Sequence, residues 1–269
     1  MNFKAMSVVG IGLVMALACM TATADPIVLQ SLNSSASIDP SSQAGMYNWT
    51  VDGVNNLYQQ WFWYRIGNES SEKSIDTLNL VSAQSLGGLA SLSYVSANRS
   101  FEVDITYSLL GGRANTHTSD LGEQIAIRNL SNGNLDFHFF QYSDFDLNGN
   151  SAGDTASHPN KNTIDQSKNS QILSETVVTP APNHWQIDYY PNILALLDNT
   201  QADTLSDGTT PLGPGDPSWA FEWDDVIGVN QDLVISKDKL IRPIPEVASS
   251  LGLFGLALVG IRFISRRCR

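Results

Sequence analysis

Punctuation is what most limits the folds open to this chain. Short runs of β-branched and aromatic residues, among them "LYQQWFWYRIG", "SFEVDITYSLLGG", "EQIAIRNL", "NLDFHFFQY", "SETVVT" and "QDLVISKDKLI", are separated by clusters of Gly, Asn, Asp and Ser. Runs of that length and composition read as strands closed by turns. "NLSNGNLDF" places Asn132-Gly133 between two extended runs, which predicts a hairpin with positive φ at both central positions. One segment departs from the rule: "PNILALLDNTQADTL" starts with Pro191 and carries Ile193, Leu194, Leu196 and Leu197 at helical spacing, so a helix of two or three turns is expected within Pro191 to Leu205. Neither heptads nor a repeat of a few tens of residues is present, which excludes coiled coils and solenoids. The expectation is an all-β fold, a single β-sandwich or jelly-roll-like domain over residues 25–241, of roughly ten to twelve strands with a short helical insertion.

The two ends carry a different signal. "MNFK", the apolar run "VVGIGLVMALA" and the small-x-small pair Ala22 and Ala24 before Asp25 predict a secretory signal peptide over residues 1–24. At the other end, Val247 to Ile261 is uncharged, about 22 Å long as a helix, and Arg262 can snorkel while the apolar run continues through Phe263 and Ile264. With Arg266, Arg267 and Arg269 behind it, this segment predicts a transmembrane helix with its arginines on the cytoplasmic side. The order Pro245-Glu246, a small-residue spacer, an apolar helix and an arginine cluster resembles the PEP-CTERM sorting signal of Gram-negative bacteria that make extracellular polysaccharide. The usual second proline is replaced by Val247. The resemblance covers residues 242–269 and implies recognition by an exosortase and the secretion machinery, passage through the inner membrane, and release to the cell envelope, surface or extracellular matrix.

Composition bounds the partners. Of 27 acidic residues only Glu246 lies outside residues 25–245, and of 15 basic residues Lys4 and four tail arginines do, leaving 26 against 10 and a net charge near −16. A chain so acidic is not a nucleic-acid binder; it suits cations or neutral glycans. The two cysteines, Cys19 and Cys268, fall in the terminal segments, so the domain between them holds together without a disulfide.

Candidate chemistry is sparse. On a strand, Trp61 and Trp63 share one face and Phe62 and Tyr64 the other; Trp219 and Trp223 form a second same-face pair. Each pair reads either as core of a strand buried on both faces or as an exposed platform for stacking sugar rings. Glu222-Trp223-Asp224-Asp225 resembles the Glu-x-Asp-x-x-Glu signature of jelly-roll glycosidases, but Ile227 stands where the second Glu should be, and a retaining mechanism needs two carboxyls. His117, His138, His158 and His184 have no paired metal spacing. In "DFDLNGNSAGDT", Asp144, Asp146, Asn148 and Gly149 match the first half of a calcium loop; position twelve is Thr155, so Asp154 would have to close the site out of register. The expectation from sequence is therefore a non-enzymatic, exosortase-sorted surface or matrix protein associated with exopolysaccharide. A carbohydrate-binding sandwich using exposed Trp is the alternative, a glycoside hydrolase a distant third.

Overall fold

The computed structural model describes residues 25–68 and 70–245. The signal-peptide and sorting-tail expectations, including Ala22, Ala24, Glu246, Arg266 and Arg267, lie outside these residues. Among those described, no helix is long and apolar enough to cross a membrane.

Among the described residues the chain forms eighteen strands. β1 (Ile27–Ser31), β2 (Ser34–Asp39), β3 (Gly45–Val51), β4 (Val54–Asn55), β5 (Gln59–Ile66) and β6 (Lys73–Ser74) enter a first sheet. β7 (Asn79–Leu86), β8 (Leu89–Val95), β9 (Phe101–Gly111) and β10 (Ser119–Asn129) form part of a second. The chain then returns to the first sheet with β11 (Leu135–Asp144) and builds β12 (Asp154–Asn160), β13 (Thr163–Lys168) and β14 (Gln171–Thr179) in the second. It completes both sheets with β15 (His184–Tyr189), β16 (Leu212–Gly215), β17 (Pro217–Ile227) and β18 (Asp232–Pro243). The first sheet is ordered β1-β2-β3-β5-β11-β17-β15 and the second β16-β12-β13-β14-β18-β10-β9-β8-β7. Pairing is antiparallel except for a short parallel contact of β3 with β5.

The all-β expectation is met, in two largely antiparallel sheets, with eighteen strands rather than ten to twelve; three of the eighteen are only two to four residues long. Two local expectations need correction. Asn132-Gly133 does not close a hairpin: β10 and β11 belong to different sheets, and neither residue takes a positive φ. The Asn129 side chain shapes this crossing instead, its Nδ2 donating to the carbonyls of Gly133 and Ile227 while its Oδ1 accepts from Ser131 N–H. The helix, α1, spans only Asn192–Leu197; beyond it the backbone N–H groups of Asp203, Leu205 and Ser206 bond to side chains rather than continue the helical ladder.

The sheets bury themselves differently. In the second, β9, β10 and β18 alternate buried with partly exposed residues, as expected when one face meets the core and the other water. In the first, β5, β11 and the start of β17 are buried on both faces. Phe137, Phe139, Gln141 and Ser143 of β11 point at the second sheet: Phe137 meets Phe101, and Ser143 Oγ donates to Glu175. The alternate residues His138, Phe140, Tyr142 and Asp144 point away, and the ladder sets Arg65 and Asp224 opposite His138, and Trp63 and Glu222 opposite Phe140. A strap made of α1 and residues 198–210 covers this outer face, with Ile193, Leu197 and Leu205 buried under it.

Candidate functional site

The tryptophans are core, which corrects the stacking-platform expectation. Trp61, Trp63, Trp219 and Trp223 are at most 1% exposed. Each indole N–H is committed inside the protein: Trp61 to Asp76, Trp63 to Asp198, Trp219 to Glu175 and Trp223 to the Pro180 carbonyl. No face is left for a sugar ring.

The chemistry lies beside them, on the outer face of β5, β11 and β17. Arg65 is fully buried and held by Glu72 at 2.8 Å, by the Gly67 carbonyl and by Asn68. Its Nη2 lies 4.0 Å from Glu222 Oε1 and donates to the Asp203 carbonyl. His138 Nδ1 bonds to Asp224 and sits 4.0 Å from the same Glu222 oxygen. Strand period explains the grouping: Glu222 and Asp224 are two apart on β17, His138 of β11 lies opposite Asp224, and Arg65 of β5 lies opposite His138 on its other side. On the edge strand β15, His184 joins through Nε2, 3.7 Å from Asp224, with its Nδ1 held by Asp207 of the strap at 2.8 Å.

Glu222 stands apart electrostatically. It is fully buried; Oε2 accepts the Leu205 backbone N–H at 2.7 Å, but Oε1 has no hydrogen-bond donor. Burial, opposed by the Leu205 N–H and reinforced by the neighbouring Asp224, pushes its carboxyl up to about 8. Asp224 goes the other way: burial would raise it, but the hydrogen bond and charge of His138 hold it below the usual range. A carboxyl whose burial favours the protonated form thus sits beside a carboxylate–imidazole pair and a guanidinium. Divergent environments for neighbouring titratable groups are how proteins assign acid and base roles.

A second cluster occupies the far end of the same strands. Asp144 closes β11, Asp146 follows it, and Asp216 precedes β17; these three carboxylates approach closely enough to hold a cation. Only half of the calcium-loop expectation survives. Asn148 takes a left-handed conformation (φ 61°) and directs its backbone N–H to Asn56, and the Asp154 carboxylate faces Lys168 at 3.6 Å. The third carboxylate of the cluster, Asp216, comes from the distant turn between β16 and β17. Asp144 is 2% exposed; its Oδ2 accepts the Tyr142 hydroxyl at 3.0 Å while Oδ1 has no partner. Burial, then repulsion from Asp216 and Asp146, pushes Asp144 up to about 8, and Asp146 and Asp216 are raised chiefly by burial.

The sequence offers Glu222 and Asp224 as an incomplete glycosidase signature and His138 as one of four histidines without metal spacing; it gives no sign of Arg65, and the grouping of all four depends on strand register. The i, i+2 spacing of Glu222 and Asp224 on an aromatic-rich strand was the available signal.

No family model matches the chain, and no curated protein does. Solved structures do share the fold. A bacterial glucoamylase complexed with acarbose superposes with a TM-score of 0.58 at 11% identity over 86% of this chain. A galactose mutarotase related enzyme from Lactobacillus acidophilus gives 0.52 at 7% identity, covering 82% of this chain and 99% of its own. A galactose 1-epimerase from the same organism gives 0.51 at 10% identity, covering 81% and 94%. The chain spans about a third of the glucoamylase, 34%, so that likeness concerns one portion of a longer enzyme. These likenesses establish a fold shared with sugar enzymes, and that finding overturns the expectation of a non-enzymatic protein.

Proposed function

We propose that the outer face of the first sheet binds a reducing sugar and moves protons between its oxygens, as a mutarotase or epimerase does. The observation that carries this reading is the buried Glu222 Oε1, without a donor, set between Arg65 and His138 on a fold shared with sugar enzymes. In the proposed step, the His138–Asp224 pair takes the proton of the anomeric hydroxyl while Glu222 gives its proton to the ring oxygen. The bond from the anomeric carbon to the ring oxygen breaks as the aldehyde forms, and rotation followed by reversal closes the other anomer. Arg65 steadies the oxygen that gathers negative charge. The strap must swing aside to admit substrate, because Leu205 covers Glu222. Polarimetry of freshly dissolved α-D-galactose and α-D-glucose tests the reading. Faster anomer exchange with the purified chain, lost in Glu222→Gln, supports it; no acceleration above buffer across the aldohexoses and aldopentoses sinks it.

The acidic cluster favours a second reading, that Asp144, Asp146 and Asp216 take calcium. An all-carboxylate donor set suits a hard cation, whereas zinc sites are typically built with His and Cys ligands. Calcium should raise the Tm of wild type and leave Asp144→Asn/Asp216→Asn unchanged; identical melting curves in EDTA and in millimolar calcium discard it. Delivery to the cell surface through residues 242–269 is likewise a proposal, motivated by the tail pattern, and intact-mass analysis with and without an exosortase decides it.

A further inference from the structure

The acidic cluster opens into a pocket of about 200 Å³ lined by Tyr58, Asp144, Asp146, Ser151, Tyr190 and Asp216. Two features make it a built site rather than an accident of surface charge. Asp144 is buried with an oxygen lacking any partner, within ligand distance of the other two carboxylates. Each tyrosine is pinned beside a carboxylate residue by its backbone: Tyr58 N–H donates to the Asp144 carbonyl at 3.0 Å and Tyr190 N–H to the Asp216 carbonyl at 2.9 Å. The rings meet edge to face, with centroids 5.7 Å apart, and remain 52% and 39% exposed.

We propose that this pocket is a sugar-binding subsite in which a bound calcium ion presents open coordination positions to adjacent hydroxyls of a glycan, with Tyr58 and Tyr190 walling the ring. It rests on the calcium reading above. Calcium takes about 6–8 oxygens. Three carboxylates supply at most six, and Asp144 already commits Oδ2 to the Tyr142 hydroxyl, so positions remain for exchangeable oxygens. Those positions face the pocket, since Asp144 closes the buried side. Neighbouring hydroxyls of a pyranose can replace two waters there, while the apolar face of the ring covers exposed tyrosine surface. The volume is below the ~300–1,000 Å³ of drug-sized sites, which limits the occupant to a single ring or the end of a chain. Asp144 and His138 stand six positions apart on β11, or ~20 Å, so this subsite is separate from the proton-transfer constellation.

Calorimetric titration of the full chain with methyl α-D-mannopyranoside and methyl β-D-galactopyranoside, in calcium or in EDTA, tests the proposal. Methyl glycosides cannot open their rings, so the proton-transfer chemistry does not contribute heat. The expected result is millimolar binding in calcium, weakened about tenfold or more in EDTA and in Tyr190→Ala, with the calcium-induced rise in Tm intact in that variant. A calcium-raised Tm without binding of either glycoside overturns the subsite and leaves the calcium reading standing. No calcium effect on Tm overturns both. Glycoside binding that persists undiminished in EDTA places the sugar elsewhere and overturns the subsite.

Discussion

Between the sheets, Glu123 stands opposite Lys237 and Glu175 opposite Lys239, and all four are essentially buried. The charges alternate around a square: Lys237 lies 2.6 Å from Glu175 and 3.2 Å from Glu123, and Lys239 pairs with Glu123 and reaches Glu175 at 3.7 Å. Ser143 and Trp219 complete the shell of Glu175. On the outer face Glu222 and Asp144 are buried too, with Asp146 and Asp216 half-buried, but these sets are unbalanced. Asp144, Asp146 and Asp216 crowd one another, and Glu222 meets Arg65 only at 4.0 Å because that guanidinium is committed to Glu72. Burial opposes charge in both places. In the interior the lysines overcome it and hold Glu175 down to about 2, whereas outside it prevails and Glu222 and Asp144 rise to about 8. A balanced set needs no ligand, so the two unbalanced sets are where function is sought.

The largest effect that sharpens this contrast is catalytic. Glu222→Gln should lower anomer exchange by ~10²–10⁴ without destabilising the fold above neutral pH, since it replaces a carboxylate that resists ionisation. Activity near wild type in that variant would remove Glu222 from the chemistry. The interior should respond in the opposite sense. Lys237→Met leaves Glu123 and Glu175 buried beside a single lysine and should cost ~3–5 kcal/mol in urea unfolding; a loss under ~1 kcal/mol would show that water already reaches the interior square.

The two regions also titrate in opposite directions. Glu175 is depressed from its ordinary 4.5 to about 2, so its contribution is present above 4.5 and is lost as pH falls through about 2. Asp144 and Glu222 are raised, so theirs is complete below their ordinary 3.8 and 4.5 and is lost as pH rises through about 8. In EDTA the Tm should peak near about pH 4–5 and decline toward pH 8. A flat profile from pH 5 to 8 would mean that the outer carboxyls ionise normally. A smaller effect isolates one of them: Asp144→Asn should raise stability at pH 8 in EDTA by on the order of 1–3 kcal/mol and flatten that decline. Destabilisation at pH 8 would mean that the ionised carboxylate is held by a partner.

How much of this was legible follows from what strand period can and cannot encode. Alternation in "SFEVDITYSLLGG" and "QDLVISKDKLI" marked β9 and β18, whereas the aromatic run of β5 marked a strand without deciding between two-face burial and an exposed platform. Assignment to sheets was not legible. "NLSNGNLDF" has the composition of a hairpin turn, yet Asn129 uses its amide to steer the chain from one sheet into the other. In the same way, Glu222 and Asp224 declared a shared face through their spacing, while Arg65 and His138 joined them only through the β5-β11-β17 register. Asp144 and Asp146 were visible as a half-motif. Asp216 was not, because it joins the other two carboxylates from 70 positions beyond Asp146, outside the reach of any loop motif.

The smallest effect concerns the strap, the element that makes the outer face buried at all. Its far end is held by Asp207, which accepts the Trp185 backbone N–H at 3.0 Å and bonds His184 at 2.8 Å; its middle is held by Arg65 and Glu72 through the Asp203 backbone and by Glu222 through Leu205. The Asp207 contacts are partly exposed, with side-chain exposures of 46% for Asp207 and 33% for His184, so they are screened and individually weak. Asp207→Ala should therefore lower stability by no more than about 1 kcal/mol, roughly 2–4 °C in Tm for a domain of this size. Its local consequence should be larger than its global one. With one anchor gone, the segment over Glu222 opens more often, and hydrogen exchange at the Leu205 amide should accelerate several-fold while amides of β10 and β18 stay unchanged. If substrate enters under the strap, the same variant lowers KM for anomer exchange and leaves kcat within about twofold. Unchanged exchange at Leu205 would place the working hinge at Asp203, where Arg65 and Glu72 hold the chain.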